Sequence, residues 1–139
     1  MASGRKVGSE ESGLRIHQTI ARDLGTAILT GRYQPGELFE GEIEASDRLG
    51  VSRTAYREAV RILIAKGMLE SRPKAGTRVL PRNRWNVLDP EMLAWMFAGE
   101  PDSRFIRDLF ELRGVIEPAA AEFAARRRTD EQLAVMETA

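Results

Sequence analysis

The chain has 139 residues, one histidine and no cysteine, and its 21 basic and 21 acidic side chains give a net charge of zero. That length suffices for one ordinary domain, or for one small domain and part of another. The missing cysteines exclude a disulfide framework and a thiolate metal site, as expected of a cytoplasmic protein. No apolar run approaches the roughly 20 residues of a membrane span. Residues 1–13 are polar and lack the apolar core of a signal peptide, so we expect a disordered leader there.

The charges are unevenly distributed along the chain. Residues 1–50 carry a net charge of −2 and residues 85–139 a net charge of −5, whereas residues 51–84 combine nine basic with two acidic side chains, a net charge of +7. Nucleic-acid affinity depends on local rather than on total charge, so the middle block is a candidate for DNA binding. The alternative is a merely solvated basic face.

A first helix is predicted over residues 14–31, because its large apolar residues recur at three- and four-residue spacing. They form one stripe: Ile16, Ile20, Leu24, Ala27 and Ile28. Gly31 suits a helix end, and Pro35-Gly36 marks the turn that follows. His17 is the one histidine, and near a helix start we interpret it as a solvated polar residue rather than as a ligand.

A short second helix over residues 42–49 and a tight turn at Gly50-Val51 precede a third helix. Ser52 is a favourable N-cap for this third helix, because its hydroxyl can accept an otherwise unpaired backbone N–H. The expected buried stripe comprises Tyr56, Ala59, Val60, Leu63 and Ile64. The opposite face is basic, since arginines spaced four residues apart lie on one side of a helix. That face comprises Arg53, Thr54, Arg57 and Arg61.

A two-stranded ribbon is predicted directly after the third helix. Gly67 ends the helix, and residues 68–71 and 77–80 are predicted as short strands around the turn Pro73-Lys74-Ala75-Gly76. Helix, turn, helix and ribbon together predict a winged helix–turn–helix. Such a motif presents its second helix to the major groove of DNA.

Beyond the ribbon, the rest of the chain is predicted to be a linker followed by helices. Residues 81–90 are interpreted as a linker that packs against its neighbours, because it contains large apolar residues: Trp85, Val87 and Leu88. Helices are predicted over residues 91–98 and 103–126, with Pro118 inside the second, and a further helix begins near Thr129. The apolar faces of the two helices comprise Leu93, Met96 and Phe97, then Ile106, Leu109, Phe110, Val115, Ile116 and Phe123.

Four short segments resemble the winged-helix domain of the GntR family of bacterial transcription regulators, and the resemblance covers about residues 14–80. The segments are Leu49-Gly50-Val51-Ser52-Arg53-Thr54, Arg57-Glu58-Ala59-Val60, Lys66-Gly67-Met68-Leu69 and Gly76-Thr77-Arg78-Val79. The resemblance implies DNA contacts on the third helix from Ser52, Arg53, Thr54 and Arg57, and at the wing tip from Lys74 and Gly76. Arg61 extends the same face. The fatty-acid-responsive member of one branch has an arginine where this chain has Ile43, so operator details do not carry over.

The C-terminal part resembles a branch of that family. Residues 108–121 are similar to the opening of the all-helical effector domain of FadR-type regulators, and residues 81–95 are similar to DgoR-like repressors of sugar-acid catabolism. The resemblance places Arg113 at a position that lines the effector pocket. A salt bridge to Glu117, four residues later, is the alternative.

Metal binding in this branch uses an aspartate and several histidines on later helices of the effector domain. This chain lacks those helices, so we expect no cofactor in it, whereas a divalent metal belongs to a complete effector domain. We therefore expect the chain to be either a fragment of a longer regulator or a truncated form that binds DNA without sensing an effector.

The sequence thus predicts a mostly α fold, with a winged helix–turn–helix of three helices and a small β-wing over residues 14–80. The linker over residues 81–90 leads to the first helices of an incomplete all-helical effector domain over residues 91–139. The predicted function is sequence-specific regulation of transcription, as a homodimeric repressor on a pseudo-palindromic operator in double-stranded DNA. The predicted effector of a complete protein is a sugar acid or a related small carboxylate.

Two alternatives come from other classes of protein. A winged helix can serve protein–protein contacts instead of DNA binding. An enzyme needs a convergent nucleophile, base or metal constellation, and the sequence displays none.

Overall fold

A computed structural model describes the backbone of residues 7–139 and the side chains from Arg15 onward. The chain divides between Gly99 and Glu100 into two compact units. The first unit contains α1 (Val7–Leu29), α2 (Glu42–Leu49), α3 (Arg53–Ala65), β1 (Leu69–Arg72), β2 (Gly76–Val79), a 3-10 turn (Arg82–Arg84) and α4 (Pro90–Ala98). The second contains α5 (Ser103–Arg127) and α6 (Asp130–Glu137). The predicted mostly α fold with a small two-stranded sheet is confirmed.

Helix α1 is longer than the sequence predicted. It begins at Val7 rather than at residue 14, and it ends at Leu29. Apolar spacing marks only the part of a helix that packs against a core, and residues 7–13, which include two glycines and two serines, carry neither that spacing nor a strong helix propensity. Residues 7–13 of the predicted leader are helical, and residues 1–6 lie outside the described part.

The core of the first unit forms where α3 crosses α1. Both helices contribute one buried stripe, as their spacing predicted, and the ribbon and α4 complete it. The buried apolar residues are Ile20, Ala21, Leu24, Ile28, Phe39, Ala45, Tyr56, Ala59, Leu63, Met68, Leu69, Val79 and Met92. Two expected members differ: Ile16 and Ile64 lie at the edges of their stripes and are exposed.

The wing is an antiparallel ribbon in which Leu69 lies opposite Val79 and Arg72 opposite Gly76. Its strands match the predicted ones to within one residue. The segment before α2 pairs with the outer edge of β2, because the Phe39 N–H donates to the Thr77 carbonyl at 2.7 Å. The wing is thereby fixed to the helices rather than projecting alone.

The linker and α4 belong to the first unit. The Trp85 indole N–H donates to the Leu80 carbonyl at 2.8 Å, and Met92 is fully buried. Trp95 lies against Gly25 of α1, where a Cβ would stand 2.6 Å from the indole ring. The unit boundary thus follows α4 instead of the linker. Leu88, which we expected to pack, is exposed.

Candidate nucleic-acid interface

The start of α3 is fixed by the turn that precedes it. Gly50 adopts the left-handed conformation at φ +65° and ends α2, with its N–H donating to α2 carbonyls. The Ser52 hydroxyl then accepts the Ala55 N–H at 3.1 Å, which confirms the predicted N-cap. Because that bond uses only an acceptor lone pair, the hydroxyl hydrogen can still be donated to an external acceptor.

The solvent-facing side of α3, which we call the basic face, carries the four residues expected there: Arg53, Thr54, Arg57 and Arg61. All four are exposed. Arg53 and Thr54 form no side-chain hydrogen bond with any residue that the structure describes, so their donors are available to a ligand. Arg57 and Arg61 are held differently.

Arg57 and Arg61 form ion pairs with carboxylates. Arg57 binds Glu42 of α2 through two contacts, Nε to Oε2 at 3.0 Å and Nη2 to Oε1 at 2.6 Å. The hydrogen bond from Arg57 holds the pKa of Glu42 below its ordinary value, and the same bond raises the pKa of Arg57. Arg61 binds Glu58 at 2.6 Å within α3. These pairs were not predicted, although Glu58 stands at the three-residue spacing that allows one.

The wing and the basic face border a common groove. Arg57 and Arg61 line one side of it, and Gly76 and Thr77 line the other. Lys74 occupies the exposed tip of the wing in the left-handed conformation, at φ +62°. Gly76, the other residue expected at the wing tip, also has a positive φ, at +78°. The ammonium of Lys74 forms no ion pair with any described residue.

Lys66 does not contribute to the basic surface, although it was counted in the basic block. Its side chain is 7% exposed and binds Asp89 and Glu91, each at 2.7 Å. Burial lowers the pKa of Lys66, but the hydrogen bonds to both carboxylates outweigh burial and leave the pKa raised. Lys66 thus joins the end of α3 to the start of α4.

Tyr56 is a buried residue of α3 that holds the segment preceding α2 in place. Its hydroxyl donates to the Glu40 carbonyl at 3.0 Å, and its ring is buried. Burial and the nearby Glu40 charge raise the pKa of Tyr56 to about 12, so the hydroxyl stays protonated and remains a donor at neutral pH. The Glu40 carboxylate binds Arg48 on the surface.

The residues considered for an effector or a metal lie elsewhere. Arg113 on α5 binds Glu117 at 2.6 Å, the geometry of the salt-bridge alternative. His17 is half-buried on α1. Among the described residues, no group of three or more histidines and carboxylates could hold a metal ion. Over the same residues, no helix is long and apolar enough to cross a membrane.

A helix–turn–helix whose second helix carries a basic face, followed by an antiparallel ribbon, defines a winged helix–turn–helix domain. Residues 16–79 match the model of the family described as bacterial regulatory proteins, gntR family. These residues thus form a winged helix–turn–helix of this family's type.

The similarity of this chain to curated relatives extends beyond the winged-helix domain. The chain is 45% identical to the uncharacterized HTH-type transcriptional regulator YieP of Escherichia coli, over 88% of this chain and 54% of the relative. It is 40% identical to the galactonate operon transcriptional repressor of the same organism, over 86% of this chain and 52% of the relative. The chain thus spans about half the length of these relatives.

A solved structure supports the fold. A GntR family transcriptional regulator from Listeria monocytogenes aligns with a TM-score of 0.51 at 18% identity, over 81% of this chain and 95% of that one. At this identity the similarity concerns the fold alone.

Proposed function

We propose that this chain is a sequence-specific DNA-binding regulator of transcription that places α3 in the major groove of double-stranded DNA. The observation that carries the proposal is the basic face of α3 beside the wing. Arginine forks can bind guanine O6 and N7 or phosphate oxygens, and short hydroxyls can reach phosphates or base edges. Ser52, Arg53, Thr54, Arg57 and Arg61 are the proposed contacts from α3. Lys74 and Gly76 are the proposed contacts from the wing.

Selection of duplexes from a randomised library by the purified chain tests this proposal. We expect enrichment of one pseudo-palindromic sequence, because two-fold related recognition helices occupy two half-sites. A failure to enrich any sequence would contradict the proposal and favour the protein–protein alternative.

Further parts of the proposal rest on the relatives. The 40% identity to a galactonate operon repressor supports repression, and supports a sugar acid or related carboxylate as effector. In this proposal a complete effector domain binds the effector and a divalent metal, Arg113 contributes to that pocket, and the regulator acts in the cytoplasm as a homodimer.

Arg57→Ala should weaken binding to the selected duplex by about 1–3 kcal/mol, because a bidentate arginine contributes that much to recognition. The fold should persist, since the side chain is exposed. A fluorescence-anisotropy titration measures the affinity. Arg113→Ala is the matched control, because it also removes an exposed arginine that is paired with a carboxylate. Equal affinities for both variants would remove Arg57 from the contact set.

Lys74→Ala should weaken binding to every duplex by a similar factor, because an ammonium at the wing tip contacts phosphate rather than bases. The slope of log K against log salt concentration should become shallower by about one unit. Salt titrations with the selected duplex and a shuffled duplex measure both effects. A loss confined to the selected duplex would instead indicate base recognition by the wing.

The second unit should associate with a second copy through α5. Several large apolar side chains of this helix are half or more exposed: Phe110, Val115, Ile116 and Phe123. Burying each would contribute about 1.5–3 kcal/mol. Trp95 of α4, by contrast, packs on Gly25 in the first unit.

Sedimentation at increasing protein concentration measures this association. We expect dimers or larger species, and Ile116→Glu should shift them towards monomer because it places a charge in the apolar surface. A clean monomer at tens of micromolar would contradict the proposed association.

A further inference from the structure

The pair between Arg57 and Glu42 differs from the other arginine pair of the basic face in what it connects. Arg61 and Glu58 belong to one helix, and one nitrogen approaches one oxygen. Arg57 instead reaches across the turn to Glu42, the first residue of α2, and two nitrogens engage two oxygens. A bidentate pair between two helices fixes the orientation of a guanidinium as well as its position.

The edge of Arg57 that Glu42 occupies leaves another edge open. A guanidinium has five N–H donors in a rigid plane. Glu42 takes one from Nε and one from Nη2, so both donors of Nη1 and the second donor of Nη2 remain. Arg57 forms no other hydrogen bond with a described residue, and its side chain is 53% exposed. The open edge has the parallel donors that match guanine O6 and N7.

We propose that Glu42 is a positioning residue for base recognition. It holds the edge of Arg57 formed by Nε and Nη2, so that the edge formed by Nη1 and Nη2 binds one guanine in each half-site. This inference rests on the proposed function. An arginine held at one edge cannot rotate freely to the phosphates, so its contact distinguishes bases. An arginine without that restraint binds phosphates and several base edges, which adds affinity on all sequences but little discrimination.

The geometry favours positioning over simple competition with DNA. Glu42 is 33% exposed and lies in the first turn of α2, where the helix dipole favours a negative charge. Arg53 on the same face adds a favourable charge interaction with Glu42. The carboxylate is therefore stabilised by its surroundings whether or not DNA is present.

Glu42→Gln tests the inference in the full chain, because an amide offers one acceptor oxygen instead of two, and its NH2 group is a donor that cannot bind the second guanidinium nitrogen. The probes are the duplex selected by the unchanged chain, a shuffled duplex, and a set in which each G·C pair of the selected duplex is replaced by A·T. The unchanged chain should lose about 5- to 150-fold in affinity at the guanine that Arg57 contacts. Arg57→Ala identifies that guanine, because this variant no longer distinguishes the replacement.

In Glu42→Gln, most of that roughly 5- to 150-fold discrimination at the same guanine should be lost, while binding to the shuffled duplex should change little. Glu42→Gln in the Arg57→Ala background should have no further effect on discrimination. Glu40→Gln is the matched control, because Glu40 also engages both Nε and Nη2 of an arginine, Arg48. The exposed fractions of Glu40 and Arg48, 33% and 51%, are close to those of Glu42 and Arg57, 33% and 53%. Glu40→Gln should leave discrimination at that guanine unchanged.

Two outcomes would overturn the inference. Stronger binding of Glu42→Gln to both selected and shuffled duplexes would mean that Glu42 competes with DNA for Arg57. Unchanged discrimination would mean that Arg57 needs no positioning. In both cases the unchanged chain still binds its selected duplex, so the proposed function stands. Loss of binding to the shuffled duplex with a lowered melting temperature would indicate that the effect is structural, and this too would overturn the positioning role.

Discussion

Gly67→Ala should lower the free energy of unfolding by about 2–4 kcal/mol, since it combines backbone strain with a backbone clash. Gly67 has φ +74°, and an added Cβ would stand 2.5 Å from the carbonyl oxygen of Arg84. The Arg84 carbonyl is not a flexible side-chain end, and the linker that carries it is fastened to Lys66 by the Asn86 N–H at 2.9 Å. Relief of the clash would therefore separate the linker from the end of α3. Urea denaturation measures the loss.

Gly50→Ala is the matched control for this substitution. Gly50 also follows a helix and has φ +65°, but an added Cβ would meet nothing within 4 Å. It should cost only the strain of the left-handed conformation, about 1–2 kcal/mol. Equal losses for the two variants would mean that the linker moves away from Gly67 without cost, and that its packing on α3 contributes little.

Lys66→Met should lower the free energy of unfolding by about 1–3 kcal/mol at neutral pH. Breaking a fully buried pair costs about 3–5 kcal/mol, and the partial exposure of Asp89 and Glu91 reduces that cost. Methionine retains most of the apolar stem but not the ammonium, which lies 5.2 Å from the centroid of the Trp95 ring. Arg22→Met, which removes the cation of an exposed pair on α1, should change stability by less than about 0.5 kcal/mol. Similar losses for the two variants would contradict a special role for Lys66.

The effect of Lys66→Met should depend on pH. The hydrogen bond from Lys66 lowers the pKa of Asp89 in the folded chain, below its ordinary 3.8. The stability from this shift is present above pH 3.8 and disappears as the pH falls through the folded value. The raised pKa of Lys66 acts oppositely: its stability is present below 10.5 and is lost as the pH rises through the folded value. The difference between the two proteins should therefore be largest between these limits, and a constant difference down to pH 2 would contradict the ion-pair explanation.

Local signals predicted the helix–turn–helix well. The serine cap and the glycine turn determine where α3 begins, and the apolar spacing determines which side it buries. The basic face is the opposite side of that same stripe. Each of these features depends on residues close together in the chain, so the printed sequence contains the whole pattern.

The features that sequence reasoning missed depend on contacts between distant residues. Lys66 looks like a surface cation until Asp89 and Glu91 approach it from α4. The sequence indicates no partner for Trp95, whereas in the fold its ring lies against Gly25 of α1. The Arg57 pair requires α2 to lie beside α3, and no spacing rule links residues 42 and 57. For the Trp95 contact the sequence contained one signal, Gly25 inside the apolar stripe of α1, since a glycine in such a stripe often marks a close approach of another element.

Equilibrium binding to duplex DNA across salt concentrations tests the central claim most directly. We expect the unchanged chain to bind its selected duplex more tightly than a shuffled one. We also expect log K to fall linearly with log salt concentration, with a slope of about −0.9 for each phosphate neutralised. Equal, weak and salt-independent binding to both duplexes would contradict the assignment of the basic face of α3 to DNA.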